Sequence, residues 1–316
     1  MMIRRSQQGN TNSSIGLLAK KNYLRYFPVK GLTNFGSVCF MNAGMQSLLH
    51  LNALNQLLRN NGLIVEDANN LTLIEFKKIC SLYFSETENI AELQTIHKTL
   101  YNLFSEYNIN VQYDCVEWLQ HLMDNIPQIK EMLKFSTRQE IKCNQKSDLR
   151  DIICSPRNII DNDLIFIFIP VTSTNNDIQT FLNEFSKPET LTMNKCDVCE
   201  SDSVISTYKL TAANNVLAFN LTRADGNKNK IMKLHSIIDL YVERNILKYN
   251  LRSVVCKEGR SSQRGHYVSY VNSKDDQWFK VNDNEICEVP ISNILNNKQV
   301  CLVFYELAGK QYLNHI

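Results

Sequence analysis

Residues 34–46 read NFGSVCFMNAGMQ. Gly36 and Ser37, with Gly31 and Asn34 just upstream, suit a turn. Beyond Cys39 the texture changes, and Leu48, Leu49, Leu51, Leu54, Leu57 and Leu58 recur at steps near three and four. That spacing predicts a helix with a core-facing stripe. Cys39 is therefore expected where a tight loop enters a helix N-terminus. Unpaired backbone N–H groups and the positive end of the helix dipole favour a thiolate there. A plain core thiol is the competing reading of this stretch, because free cysteine is among the most buried residue types.

Outward from this helix the front of the chain stays helical. IAELQTIHKTLYNLFSEY (90–107) places Leu93, Ile96, Leu100, Leu103, Phe104 and Tyr107 on one face, with His97 read as a helix-surface residue. QYDCVEWLQHLMDNI (112–126) reads as a further helix with Val116, Leu119 and Met123 inward. From about Lys134 the pattern turns to strands: DLIFIFIPV (163–171), NVLAFNLTR (215–223), GHYVSYV (265–271), QWFKVND (277–283) and VCLVFYEL (300–307). A helical front followed by a β-rich rear predicts an α+β fold.

The 316 residues, 44% hydrophobic, suffice for a large core in one or two domains. A net charge of +2 points to neither nucleic acid nor a membrane surface as a partner. The charge is unevenly spread, because the first acid is Glu66 and seven Lys and Arg precede it. Residues 1–27 read as a polar N-terminal extension. No stretch has the roughly 20 apolar residues of a membrane span, nor the shorter apolar run of a secretory signal. The ten cysteines are accordingly expected as reduced thiols or metal ligands, in a cytoplasmic or nuclear protein. An acid-free, Arg- and Ser-containing terminus also fits a mitochondrial transit peptide.

A thiol nucleophile needs a base, and the base needs a third group to fix its tautomer. His266 follows the polar loop EGRSSQRG and opens a strand. A hairpin then returns to Asn282 and Asp283, which antiparallel pairing would bring back beside it. A structural strand histidine and a catalytic one both satisfy this pattern.

Taken together, these stretches resemble the ubiquitin-specific proteases. GLTNFGSVCFMNAGMQSLL (31–49) is similar to that family's Cys box, and GHYVSYV with WFKVND to its His box. Four further segments resemble the family in order: VQYDCVEWLQHLMDNI (111–126), IQTFLNEFSKPETLTMNKCDVC (178–199), NVLAFNLTR and VCLVFYEL. The resemblance implies a papain-like cysteine protease core with thumb (about 28–133), fingers (mainly about 134–225) and palm (mostly 226–307), in a catalytic domain filling 28–316. It implies cleavage after the C-terminal glycine of ubiquitin, with no organic cofactor. By position Cys39 matches the nucleophile, His266 the general base, Asn282 the third triad member, Asp283 its acidic neighbour and Asn34 the oxyanion-stabilising amide. Gln112 and Asp114 match residues lining the channel for ubiquitin's arginine-bearing tail, and Tyr267 flanks the tunnel for its Gly-Gly end.

The chain departs from the family at Ser37-Val38, where Asn-Thr is usual, and at Lys257-Glu258-Gly259, where a His is frequent. Backbone N–H groups at the first position survive the change. The fingers of the family hold zinc on two Cys-x-x-Cys knuckles. Cys196 and Cys199 form one such knuckle, whereas Cys143 and Cys154 lie eleven apart, so either an irregular four-cysteine site forms or the metal has been lost. Cys80, Cys115, Cys256, Cys287 and Cys301 are expected in the core. Ubiquitin or ubiquitinated proteins are the expected partners, with an activating subunit as a further candidate. A non-catalytic ubiquitin-binding scaffold, a protease of a related modifier and a zinc-ribbon module are the alternatives.

Overall fold

The computed structural model describes residues 28–312, apart from 65–67, 87–88, 144–153, 173, 175, 192–194, 197, 201, 224–228, 244, 260–264 and 274–275. The polar extension read at 1–27 lies outside the described residues. Helices α1 (Cys39–Leu49), α2 (Asn52–Arg59), α3 (Leu71–Tyr83), α4 (Ile90–Asn102), α5 (Cys115–Asn125) and α6 (Pro127–Leu133) come first. Strands β1 (Phe135–Cys143), β2 (Arg157–Leu164), β3 (Phe166–Pro170), β4 (Glu189–Leu191), β5 (Val204–Ala213) and β6 (Val216–Thr222) follow, with α7 (Ile178–Glu184) among them. The chain closes with β7 (Ile237–Val242), β8 (Asn245–Glu258), β9 (His266–Asn272), β10 (Trp278–Asn282), β11 (Glu285–Val289), α8 (Ser292–Leu295) and β12 (Val300–Tyr312). The helix-then-strand order makes an α+β fold, and no described helix is long and apolar enough to cross a membrane.

Two sheets divide the rear. A four-stranded sheet runs β2-β1-β5-β4, all antiparallel. An eight-stranded sheet runs β11-β10-β9-β8-β12-β6-β3, with β7 also on β8. DLIFIFIPV, expected as one strand, splits at Ile165: its start belongs to β2 in the small sheet, and the rest is β3, parallel to β6 in the large one. One segment thus joins both sheets.

Helix α1 is the centre of the molecule. Every residue from Cys39 to Leu49 is buried, and the helix packs on α5 and against β8, β9 and β10. A helix buried all round must satisfy its polar side chains internally. The Gln46 amide donates to the Lys30 carbonyl at 2.6 Å and accepts from the Tyr83 hydroxyl at 2.7 Å. The leucine stripe expected as one helix breaks after Leu49. Leu51 is extended (φ −81°, ψ 127°), and the buried Glu306 carboxylate accepts the Ala53 N–H of α2 at 2.7 Å. An acid on a distant strand therefore caps a helix that lacks a side-chain cap of its own.

Two other readings are corrected. His97 is buried rather than surface-exposed, its ring set edge-on to Phe35 with centroids 5.6 Å apart. Cys287 is exposed rather than in the core, because β11 is an edge strand exposed along nearly its whole length.

Candidate active site

Cys39 is the first residue of α1, buried beneath the preceding loop. That loop is pinned from both sides. The Asn34 side-chain oxygen accepts the Gly36 and Val38 N–H groups at 3.1 and 3.3 Å, and the Ser37 N–H donates to the Ile109 carbonyl at 2.6 Å. A side chain at Gly36 would collide with Ile109, its Cβ falling 2.5 Å from the carbonyl oxygen. The backbone N–H groups of Ser37 and Val38 are thus already committed. Donors that can face a developing oxyanion at the nucleophile include the Cys39 N–H, in the unpaired first turn of α1, and the second N–H of the Asn34 amide.

The other half of the site comes from the β9–β10 hairpin, in which Val281 pairs with Ser269. Asn282 then falls diagonally across from His266 on the same face, within side-chain reach. His266 Nε2 lies 2.5 Å from Asn282 Oδ1. The Asn282 nitrogen donates to the Glu285 carboxylate at 3.2 Å, which sets the amide so that its oxygen faces the imidazole. The proton of a neutral His266 therefore sits on Nε2, leaving Nδ1 as the basic nitrogen.

Asp283 ties the halves together. It turns the chain from β10 into β11 with φ 52°, a left-handed conformation that Asp tolerates. Its carboxylate accepts the Asn34 amide at 3.0 Å and the Asn42 amide at 2.6 Å, and lies 3.9 Å from His266 Nε2. The Leu32 N–H donates to its backbone carbonyl at 2.9 Å. Gly31 is what permits this approach, since a Cβ there would fall 2.4 Å from the Asn284 Cα. Residues some 250 positions apart are thereby locked into one unit. Asn42 is a site residue that the motifs do not flag; its one signal, an amide in a largely apolar helix, is shared with Gln46.

Asp114 caps α5, accepting the Val116 N–H at 2.8 Å, and its second oxygen accepts the Tyr267 hydroxyl at 3.1 Å. Burial pushes the Tyr267 phenol well up, with Asp114 adding to the effect. Tyr267 is thus a buried brace between β9 and α5. Beside it lies a cleft of about 670 Å³ whose lining includes Asp114, Glu117, Phe168, Arg223, Lys257 and Tyr267. Its lining carries both acids, Asp114 and Glu117, and bases, Arg223, Lys257 and Lys298. Phe168, 60% exposed, stands at this cleft.

At the far end of the small sheet, the metal-ligand atoms of Cys143, Cys154, Cys196 and Cys199 all lie within 4.8 Å of one another. Two sulfur pairs are 3.4 and 3.7 Å apart, close to the roughly 3.8 Å edge of a tetrahedron built on Zn–S bonds of about 2.3 Å. Cys143 ends β1 and Cys154 lies just before β2, the antiparallel partner of β1, so strand pairing rather than a knuckle brings these two thiols together. Backbone N–H groups of Cys199 and Val198 pull the Cys196 thiol down, while desolvation and the neighbouring sulfurs push Cys154 up, as expected of thiols crowded together. The donor set fits zinc. Burial, by contrast, pushes Cys115 and Cys256 well up and Cys301 to about 12, so these stay protonated thiols.

Residues 30–305 match the family described as ubiquitin carboxyl-terminal hydrolase. The chain belongs to that family. Ubiquitin carboxyl-terminal hydrolase 17-like protein B of Mus musculus is 23% identical over 306 residues, covering 88% of this chain and 64% of the relative. Ubiquitin carboxyl-terminal hydrolase 36 of Drosophila simulans is 23% identical over 312 residues, covering 89% and 32%. The chain thus spans less than two thirds of these hydrolases. Among solved structures, the SAGA Ubp8/Sgf11/Sus1/Sgf73 DUB module bound to ubiquitin aldehyde superposes with TM-score 0.75 at 18% identity, over 93% of this chain and 71% of that one. The same module bound to monoubiquitin gives 0.74. At such identity the likeness is one of fold.

Proposed function

We propose that the chain is a deubiquitinating cysteine protease that hydrolyses the bond after the C-terminal glycine of ubiquitin. The observation that carries this is the Glu285–Asn282–His266 relay, which sets the imidazole tautomer on a hairpin that Asp283 ties to Asn34 and Asn42, either side of the Cys39 thiol at a helix N-terminus. His266 Nδ1 takes the proton from Cys39 Sγ, and the thiolate attacks the glycine carbonyl carbon. The carbonyl electron pair moves onto oxygen, held by the Asn34 amide and the Cys39 N–H; one such donor contributes on the order of 3 kcal/mol. His266 gives its proton to the leaving lysine amine as the C–N bond breaks, and a thioester remains. Water, deprotonated by His266, then cleaves the C–S bond and releases the glycine carboxylate with the thiolate. Asp283, 3.9 Å from the ring, faces the imidazolium formed on the way.

The cleft between α5 and the large sheet is read as the approach for the tail, with Asp114 and Glu117 meeting its arginines. The helical front is the thumb, the small sheet the fingers and the large sheet the palm. Cys143, Cys154, Cys196 and Cys199 hold a structural zinc that takes no part in the reaction.

An electrophilic ubiquitin probe tests the reading by intact mass. One adduct on the wild-type chain and none on Cys39→Ala is expected. Folded protein that binds ubiquitin without an adduct would make it a scaffold. An adduct formed only with a related modifier would move the substrate class.

A further inference from the structure

The side chain of Gln112 lies between the two halves of the site. Its oxygen accepts the Gly265 N–H at 2.9 Å, and its nitrogen lies 3.5 Å from Cys39 Sγ. The orientation is not ambiguous. A backbone N–H can only donate, so the amide oxygen must face Gly265 and the NH₂ must face sulfur. The strand approaches so closely there that only glycine fits, since a Cβ on residue 265 would fall 2.9 Å from the Glu258 carbonyl oxygen. Its N–H is the last backbone donor before His266. One amide therefore reads the seat of the histidine strand on one side and touches the nucleophile on the other.

We propose that Gln112 is a positioning residue for the nucleophile, donating to the Cys39 thiolate only while Gly265 holds the amide in place. This rests on the reading of Cys39 as the nucleophile and goes beyond a lining role for Gln112 in the tail channel. A donor to sulfur favours the ionised form, because a hydrogen bond to a charged group strengthens on ionisation. It also couples readiness to assembly. When the start of β9 shifts, the amide loses the acceptor contact that orients it and the thiol loses its donor. Nucleophilicity falls with thiol pKa by less than half as much as thiolate population rises, so the net effect at neutral pH is a faster thiol.

The test measures iodoacetamide alkylation of the Cys39 peptide by mass spectrometry from pH 5 to 10, with no ubiquitin present. The readout follows Cys39 apart from the other nine cysteines, and it stands whether or not the chain cleaves ubiquitin. The titratable groups around the site, His266, Asp283, Glu285, Asp114, Tyr267 and Cys115, are unchanged in both variants. Gln112→Ala should move the alkylation midpoint up by about one pH unit, the size of one hydrogen bond to a charged group. Gln112→Glu keeps an acceptor for Gly265 but swaps the donor for a negative charge, and should move it further. Unfolding midpoints within about 2 °C of wild type would show that both variants fold. Superimposable alkylation profiles in folded variants, with only a raised KM for a ubiquitin substrate, would overturn the proposal and leave Gln112 a channel residue.

Discussion

Around Cys39, the groups that fix the site come from chain segments far apart in sequence, and all rest on helix α1, no residue of which is exposed. At the tip of the small sheet, four half-buried cysteines meet at the end of β1 and on the segments that enter β2 and β5, and β2 is exposed along most of its length. The first arrangement is rigid because two layers of core press on it. The second has too little apolar area to order itself and is expected to draw its rigidity from a metal. The same residue type thus does different work according to what packs behind it.

Loss of the nucleophile bounds the comparison. Cys39→Ala should abolish turnover of a ubiquitin substrate and leave the unfolding midpoint within a few degrees, because one buried sulfur is small beside the core around it. A variant retaining even a hundredth of the rate would place the chemistry elsewhere.

Asp283→Asn comes next. The isosteric change keeps a residue that tolerates φ 52° but sets an NH₂ against one of the two amides that now donate to the carboxylate. One buried donor is left unsatisfied, at about 1–3 kcal/mol, and the imidazolium loses its facing charge. A fall in kcat of about 10²-fold with little change in KM is expected, read by steady-state kinetics. An unchanged kcat would mean that Asn282 alone supports the histidine.

Metal removal probes the other region. Purified chain should carry one zinc, and Cys196→Ser should lose it. Amide exchange should then quicken in β1 and β5 while the rate of Cys39 alkylation stays within about twofold. KM for ubiquitin should rise several-fold if the fingers grip its globular part. Metal-free protein with the same exchange pattern would show that the small sheet stands unaided.

The two regions also differ in how far they could be read from sequence. Cys39, His266 and the Asn282–Asp283 pair announce themselves through a loop, a helix start and a hairpin, all local signals. The strand order follows less well: nothing local tells the end of β2 from β3, since both lie in one apolar run and the choice of sheet is tertiary. Asn42 and the sulfur contact of Gln112 were illegible because their partners lie 241 and 73 residues away. The Cys143–Cys154 spacing left the four-cysteine site open against loss of the metal, because strand pairing can bring together positions that no knuckle pattern spaces.

His97 is the remaining case, and it sets an acid limit on the core-braced site. A helical periodicity puts it near the edge of the apolar face, and only the packing of Phe35 over α4 decides that it is buried. Burial depresses its pKa from 6.5 to about 4, and no described residue hydrogen-bonds either ring nitrogen. Tyr101, one turn on, also packs edge-on to Phe35, which adjoins Asn34. His50, buried against α1, is likewise lowered to about 4 by burial. A base whose folded pKa lies below its unfolded value binds fewer protons folded than unfolded. Stability is therefore complete above about pH 6.5 and falls as the pH drops towards 4. Each histidine contributes a slope of up to about 1.4 kcal/mol per pH unit in that window. His97→Leu removes one of the two, so between pH 7 and 5 its unfolding midpoint should fall by roughly 3–6 °C less than that of wild type. Above pH 7 the variant should match or exceed wild type, since leucine leaves no buried nitrogen unpaired. Parallel curves down to pH 5 would mean that His97 takes its proton without leaving the fold and sets no acid limit on the packing around Phe35.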